Sequence, residues 1–582
     1  MHFLLAVVTL LTLYPVSALD KSFRLPKSLK PIEYKVAVTY NREEPAAQHH
    51  SIVRVHFECL ETTDRLVLHA NELSIHGAII CTNLSGPCDG PWLLQSIVNK
   101  EQQSVTFTDA TWKVGQSYFV EVLSSYKVRQ TGGVWFGGPF AVKGRYHVVT
   151  QGEELGTREI FPLFDEPHLK AVFHTTIIVH HSSHAGEVYK AVSNAEVLEV
   201  HNASLSTTTI FKPMKKMSSY LFAFAIPIQG NNGFSSSGDH PRSTVYGEKR
   251  SDAQRTANFV RRVVRFYNGF FGLADPLSTV DYAADRNVAG AMENWGMIYG
   301  SPDDSTVVHE VAHSWFGNMV TMHFWDDVWL NEGWTAYATA VASTSLGVGN
   351  SSWRLQYISR RAVHKYFSNH VPLKSLNFYG SLMDMLSQSK MVYDKGGAVA
   401  RMCAEMLGGP EASAKIIGER YIKRFYLGNV DSEGMANALS GGDALFKEAM
   451  LDFAVNGGLP MLTVDFDSAS REFVLTQSSG IGGAERWSIP VFYSVSSRLV
   501  RPPPIFPKSQ REFRLPLRNG TNPDDYEFNP EFRAPIKVNV SSQLRSKMAA
   551  DRKMRFRYPT EEQIRSAPAP QITPEWVRKF RQ

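Results

Sequence analysis

The sequence predicts a multidomain α+β chain with an N-terminal β-sandwich over residues 19–228, a mixed α/β domain over 229–456 and a small C-terminal β-sandwich over 457–540. Three observations carry this reading. Tyr34-Lys35-Val36-Ala37-Val38 and Ser51-Ile52-Val53-Arg54-Val55 alternate apolar and polar side chains, the period of a strand with one face in a core. From about Tyr246 the apolar spacing becomes helical, and after Gly457-Gly458 it returns to strands. A chain of 582 residues also exceeds what one hydrophobic core serves, so three or more domains are expected.

Taken in order, residues 1–18 read as a signal peptide. Phe3 to Leu13 is apolar, Pro15 breaks it, and Val16-Ser17-Ala18 suits cleavage, although a basic start is missing. No later run reaches about 18 apolar residues, so no transmembrane segment is expected and the chain reads as secreted or lumenal. The four cysteines fit an oxidising compartment: Cys81 and Cys88 flank a short polar segment and suit a loop-closing disulfide, whereas Cys59 and Cys403 read as buried thiols. Sequons at Asn83, Asn202, Asn350, Asn519 and Asn539 are candidate glycan sites.

The helical part opens at Ala253 to Phe271, where apolar residues at helical spacing interleave with Arg255, Arg261, Arg262 and Arg265. That is a packing helix with a solvated face, not a nucleic-acid helix. Residues 541–582 hold 10 Lys or Arg against 4 Asp or Glu, so this basic tail accounts for the net charge of +5 and the remainder is about neutral. Its scattered prolines suggest a flexible, solvated segment, and no nucleic-acid partner is expected.

The chemistry concentrates between Gly290 and Gly333. His309, Glu310 and His313 form an H-E-x-x-H, and on a helix the i, i+4 spacing puts both imidazoles on one face, one turn apart. Neutral imidazoles suit Zn²⁺, which in catalytic sites takes a third protein ligand and leaves a fourth position open. Glu332, 19 residues after His313, is the candidate third ligand. The first helix is expected to end near Gly317-Asn318 and a second to begin around Asp327. Glu310, between the histidines, suits a general base acting on water.

Gly290-Ala291-Met292-Glu293-Asn294, His309-Glu310-Val311-Ala312-His313, Trp329-Leu330-Asn331-Glu332-Gly333 and Tyr393-Asp394-Lys395-Gly396 stand in that order. Together they resemble the zinc aminopeptidases of the aminopeptidase N type, a branch of the thermolysin-like gluzincin metallopeptidases that includes leukotriene hydrolase. The likeness begins near Arg24-Leu25-Pro26, passes through Phe161-Pro162-Leu163-Phe164-Asp165-Glu166-Pro167 and fades after about residue 500.

The resemblance implies a thermolysin-like catalytic domain over 229–456 and one Zn²⁺ per chain. It gives Glu293 the substrate's free α-ammonium, with Glu153 helping, and Tyr393 the developing oxyanion. Gly290 and Ala291 would offer an extended edge to which a peptide adds as a strand, with Met292 and Asn294 completing the substrate-binding stretch.

Several features depart from the family pattern. Only 15 residues separate Glu293 from His309, so the histidine helix should start abruptly with Asp304 or Ser305 as N-cap. Trp334-Thr335 stands where Phe-Ala is usual, and Ser314 resembles the leukotriene hydrolase branch. The large C-terminal helical domain of many relatives has no counterpart, and a more open cleft is expected.

The reading is a zinc aminopeptidase acting on peptides with a free N-terminus. The alternatives are a catalytically impaired homologue that binds peptides or partners, and a lipid-epoxide hydrolase on the same scaffold.

Overall fold

The computed structural model describes residues 24–90, 92–93, 95–128, 140–143, 146–182, 189–228, 233–235, 241–288, 290–349, 354–375, 382–542 and 544. The expected signal peptide, the sequon at Asn350 and nearly all of the basic tail lie outside them.

The first part is β-rich. Strand Leu29–Asn41 buries alternate residues, Tyr34, Val36, Val38 and Tyr40 among them, as its pattern demands. It pairs antiparallel with Gln48–Cys59 and parallel with the distant Val172–His180, Glu33 lying opposite Val172. Eight strands join in this sheet, and a four-stranded and a three-stranded sheet accompany it. Phe161, Leu163, Phe164, Asp165 and Glu166 of the Phe161-to-Pro167 stretch are all buried. Arg158 donates to Asp165 at 2.8 Å, and Arg24 to Glu166 at 2.7 Å, so this motif is structural. Cys81 and Cys88 form the expected disulfide, while Cys59 and Cys403 are free and buried.

The second part is mixed. Its five-stranded sheet runs in the order Phe234–Ser235, Thr244–Tyr246, Asp281–Ala284, Met297–Gly300, Ala291–Met292. Eight α-helices follow among the described residues: α1 Arg250–Phe271, α2 Asp304–Ala312, α3 Trp329–Leu346, α4 Arg354–Tyr366, α5 Leu382–Met406, α6 Pro410–Ile416, α7 Ser432–Ser440 and α8 Ala444–Val455. Helix α1 starts three residues before the expected Ala253 and buries Ala253, Ala257, Val260, Val264 and Tyr267. On its other side Arg255 pairs with Asp304 in the first turn of α2 at 2.9 Å.

Helix α3 is buried on nearly every side and forms the centre of this part. It crosses α5 at Gly333 and Gly396, where a Cβ on Gly333 would stand 2.6 Å from the Gly396 carbonyl carbon. Only glycine permits that approach. The crossing brings the residues beside Gly333 and Gly396, Glu332 and Tyr393, to one place.

Beyond Gly458 the chain is again β-rich, with a four-stranded sheet in the order Glu512–Pro516, Glu472–Ser479, Pro460–Asp467, Lys537–Val540 and smaller two- and three-stranded sheets. No helix among the described residues is long and apolar enough to cross a membrane.

Candidate metal centre

Helix α2 begins one residue earlier than expected. Asp303 is its N-cap, with Asp303 accepting from the Ser301 hydroxyl at 2.7 Å rather than capping through its side chain. The helix also ends sooner than expected: Ala312 is its last residue and His313 its C-cap, not Gly317-Asn318. His313 keeps helical backbone angles, so the one-turn spacing survives and the two Nε2 atoms face each other at 3.1 Å. The chain then reverses through Phe316 to Val320, runs as a short strand at Thr321–Met322 and makes a 3-10 turn at Trp325–Asp327. Helix α3 therefore starts at Trp329, two residues after the expected Asp327.

From that helix Glu332 reaches the histidines, its Oε2 lying 3.5 Å from Nε2 of His309 and 3.5 Å from Nε2 of His313. His309, His313 and Glu332 offer three donor atoms within 4.8 Å of one another. Glu332 is 4% exposed, and its Oε2 makes no hydrogen bond. Two imidazole nitrogens and a buried, unpartnered carboxylate oxygen converging on one point fit a divalent cation of the zinc type.

Other acids surround this point. Donor atoms of Glu293, Glu310 and His313 lie within 4.8 Å of one another, as do those of Glu153, Glu293 and Glu332. Glu293 and Glu310 are buried, and Glu293 Oε1 has no hydrogen-bond partner. Burial, then neighbouring carboxylates, raises Glu310 and Glu153 well above the usual range; burial also raises Glu293, which His313 partly offsets. Burial alone would depress His313, yet Glu293, Glu332 and Glu310 raise it well above its usual value. Burial would likewise raise Glu332, but His313 and His309 hold it well below. Tyr393 stands at the rim, 38% exposed, its ring centroid 5.7 Å from that of His309. Enclosure of its phenol, then Glu332, Glu153 and Glu293, pushes it well above its usual value.

Two family models match the chain: the peptidase family M1 domain over residues 255–453 and the peptidase M1 N-terminal domain over residues 30–221. The chain belongs to peptidase family M1. Aminopeptidase 2, mitochondrial, of Saccharomyces cerevisiae is 30% identical over 56% of this chain and 36% of its own length. The alanine/arginine aminopeptidase of the same yeast is 28% identical over 63% of this chain and 45% of its own, and the glutamyl aminopeptidase of Bitis rhinoceros 27% over 81% and 51%. This M1 chain spans about half or less of the length of these relatives. The family is zinc-dependent in general.

In the M1 chain the stretch from Gly290 lies at a sheet edge. Ala291–Met292 pairs antiparallel with Met297–Gly300 and is the outermost strand of this sheet among the described residues. Gly290 precedes it with φ +82°, and its carbonyl accepts from Ser301 N at 2.8 Å. Met292 and Asn294 are both 0% exposed, and neither polar atom of the Asn294 side chain has a hydrogen-bond partner. Met292 receives Gln151 Nε2 on its sulfur at 3.2 Å.

Several residues at the site have no role that the motifs predict. Thr335 and Thr339 stand 3.3 Å from Nδ1 of His313 and of His309 respectively. Asn318 Nδ2 donates to the Glu293 carbonyl at 3.0 Å, and Tyr220 accepts from Asn331 of α3 at 3.1 Å. Glu154 follows Glu153, and burial pushes its carboxyl up to about 7.

Proposed function

We propose that this M1 peptidase is a zinc-dependent aminopeptidase that removes N-terminal residues from peptides. The observation that carries the reading is the unpartnered Glu332 Oε2 equidistant from the two facing histidine nitrogens, with four further catalytic-type side chains around it. His309, His313 and Glu332 would hold one zinc ion per chain. When bound there, zinc supplies a Lewis acid that acidifies water and polarises the scissile carbonyl.

The chain's own residues do the rest. Glu310 takes a proton from the attacking water and returns it to the leaving amine. Glu293 and Glu153 form the acidic pair that receives the substrate's α-ammonium, which restricts attack to the first peptide bond. Tyr393 donates its phenol hydrogen to the oxyanion as it develops; its high pKa keeps that hydrogen in place. The Ala291–Met292 edge aligns the peptide backbone.

The expected disulfide supports an exported protein, since such bonds persist in oxidising compartments. We place the catalytic region at 229–456, between a β region at 19–228 and another at 457–540. Purified protein should carry one zinc per chain, lose turnover of aminoacyl arylamides on chelation and regain it with zinc. Glu310→Gln should keep the metal and abolish turnover. Undiminished hydrolysis by metal-stripped protein or by Glu310→Gln would overturn the proposal.

A further inference from the structure

Helix α3 carries more of the metal site than its carboxylate. Glu332, Thr335 and Thr339 stand at i, i+3 and i+7 and so share one face. That face points at the unligated side of both histidines, Thr339 Oγ1 lying 3.3 Å from His309 Nδ1 and Thr335 Oγ1 3.3 Å from His313 Nδ1.

The hydrogens can be assigned one by one. Thr339 Oγ1 lies 2.7 Å from the Thr335 carbonyl, which has no hydrogen to give, so the threonine donates there. With that hydrogen so placed, Thr339 Oγ1 faces His309 as an acceptor, an arrangement that favours the His309 tautomer with its hydrogen on Nδ1. His313 Nδ1 lies 3.0 Å from the Phe316 carbonyl and carries a hydrogen for the same reason. Thr335 donates to that carbonyl at 3.2 Å and accepts alongside it. Both contacts favour the Nδ1–H tautomer, the one that leaves the two Nε2 atoms, 3.1 Å apart, to ligate a metal.

Resting on the zinc reading above, we infer that Thr339, and to a lesser degree Thr335, are positioning residues that set the tautomer and orientation of His309 and His313 for metal binding. The two differ in weight for a structural reason. Thr339 is the acceptor the structure gives His309 Nδ1, whereas His313 keeps the Phe316 carbonyl if Thr335 is lost. The hydrogen-bond acceptors themselves are uncharged, while behind His313 the Glu293 carboxylate also stands 3.9 Å from Nδ1.

The test is a zinc titration of metal-stripped full-length protein in competition with a chromogenic chelator. Partners of this kind are worth about 10–100-fold in metal affinity. Thr339→Val, which keeps the shape and removes the acceptor, should weaken zinc binding about tenfold or more. Thr339→Ser should restore it, and Thr335→Val should weaken it less than Thr339→Val. Thr344→Val serves as the control: its hydroxyl makes the same bond to the carbonyl four residues back, Ala340 at 2.9 Å, without a ligand histidine. It should leave zinc affinity unchanged.

Wild-type affinity in Thr339→Val, equal losses in Thr339→Val and Thr344→Val, or no rescue by serine would each overturn the inference. Failure of the wild-type protein to bind zinc would instead strike the metal assignment itself.

Discussion

Lys170 Nζ, 2% exposed and rooted in the N-terminal β-rich part, donates to the Asn318 carbonyl at 3.0 Å. It also donates to the Met319 carbonyl at 3.2 Å, and the Asn318 side chain passes the restraint on to the Glu293 carbonyl at 3.0 Å. A buried amine thus ties the first part of the chain to the loop that holds the Glu293 backbone. Leaving a buried carbonyl unsatisfied costs about 1–3 kcal/mol. Lys170→Met should therefore raise KM for aminoacyl arylamides more than it lowers kcat, with zinc content unchanged. Steady-state kinetics beside metal analysis checks this, and an unaltered KM contradicts it.

Glu293→Gln keeps hydrogen-bonding capacity and removes the charge. Truncating one side of a buried charge pair costs about 2–5 kcal/mol, so kcat/KM should fall about 30-fold or more while zinc remains bound. The same substitution should barely change the affinity of a zinc-binding inhibitor that has no amine. Comparing both quantities in one preparation separates loss of the ammonium contact from general damage.

Tyr393→Phe should retain zinc and lower kcat by about 10²–10³, the usual loss for one oxyanion donor. Its rim position, 38% exposed, makes a folding defect an unsuitable explanation for such a loss. Full activity in the variant would remove the residue from the mechanism.

Lys395 lies within α5 and is 1% exposed, with Nζ donating to the Asn456 carbonyl at 2.9 Å. Burial lowers its pKa to about 7, against about 10.4 in an unfolded chain. Between these values the unfolded state binds more protons than the folded one, so stability rises with pH across that window. The cost of burying Lys395 is fully present below about pH 7 and fades toward pH 10. The difference in Tm, Lys395→Met minus wild type, should therefore be largest near pH 6 and decrease from about pH 7 to about pH 10. A flat or rising difference contradicts the assignment.

What the sequence revealed depended on separation along the chain. His309 and His313 sit one turn apart, and Glu332 begins the next long helix, so a helical repeat suffices to bring them together. The long parallel pairing of Leu29–Asn41 with Val172–His180 joins segments too far apart for periodicity to reveal. The early end of α2 depends on the chain reversal after His313 and on Gly317, neither part of the helical pattern. Thr335, Thr339 and Lys170 are ordinary residues by composition. Their roles appear only once α3 and the β-rich part are set against the histidine loop.

The most direct measurement compares hydrolysis of an aminoacyl arylamide with that of the same compound acetylated on its α-nitrogen, using zinc-loaded protein. The arrangement of Glu293 and Glu153 beside the metal ligands predicts turnover of the free amine and essentially none of the acetylated compound. Equal turnover of the two would contradict the assignment of those acids and, with it, the aminopeptidase reading.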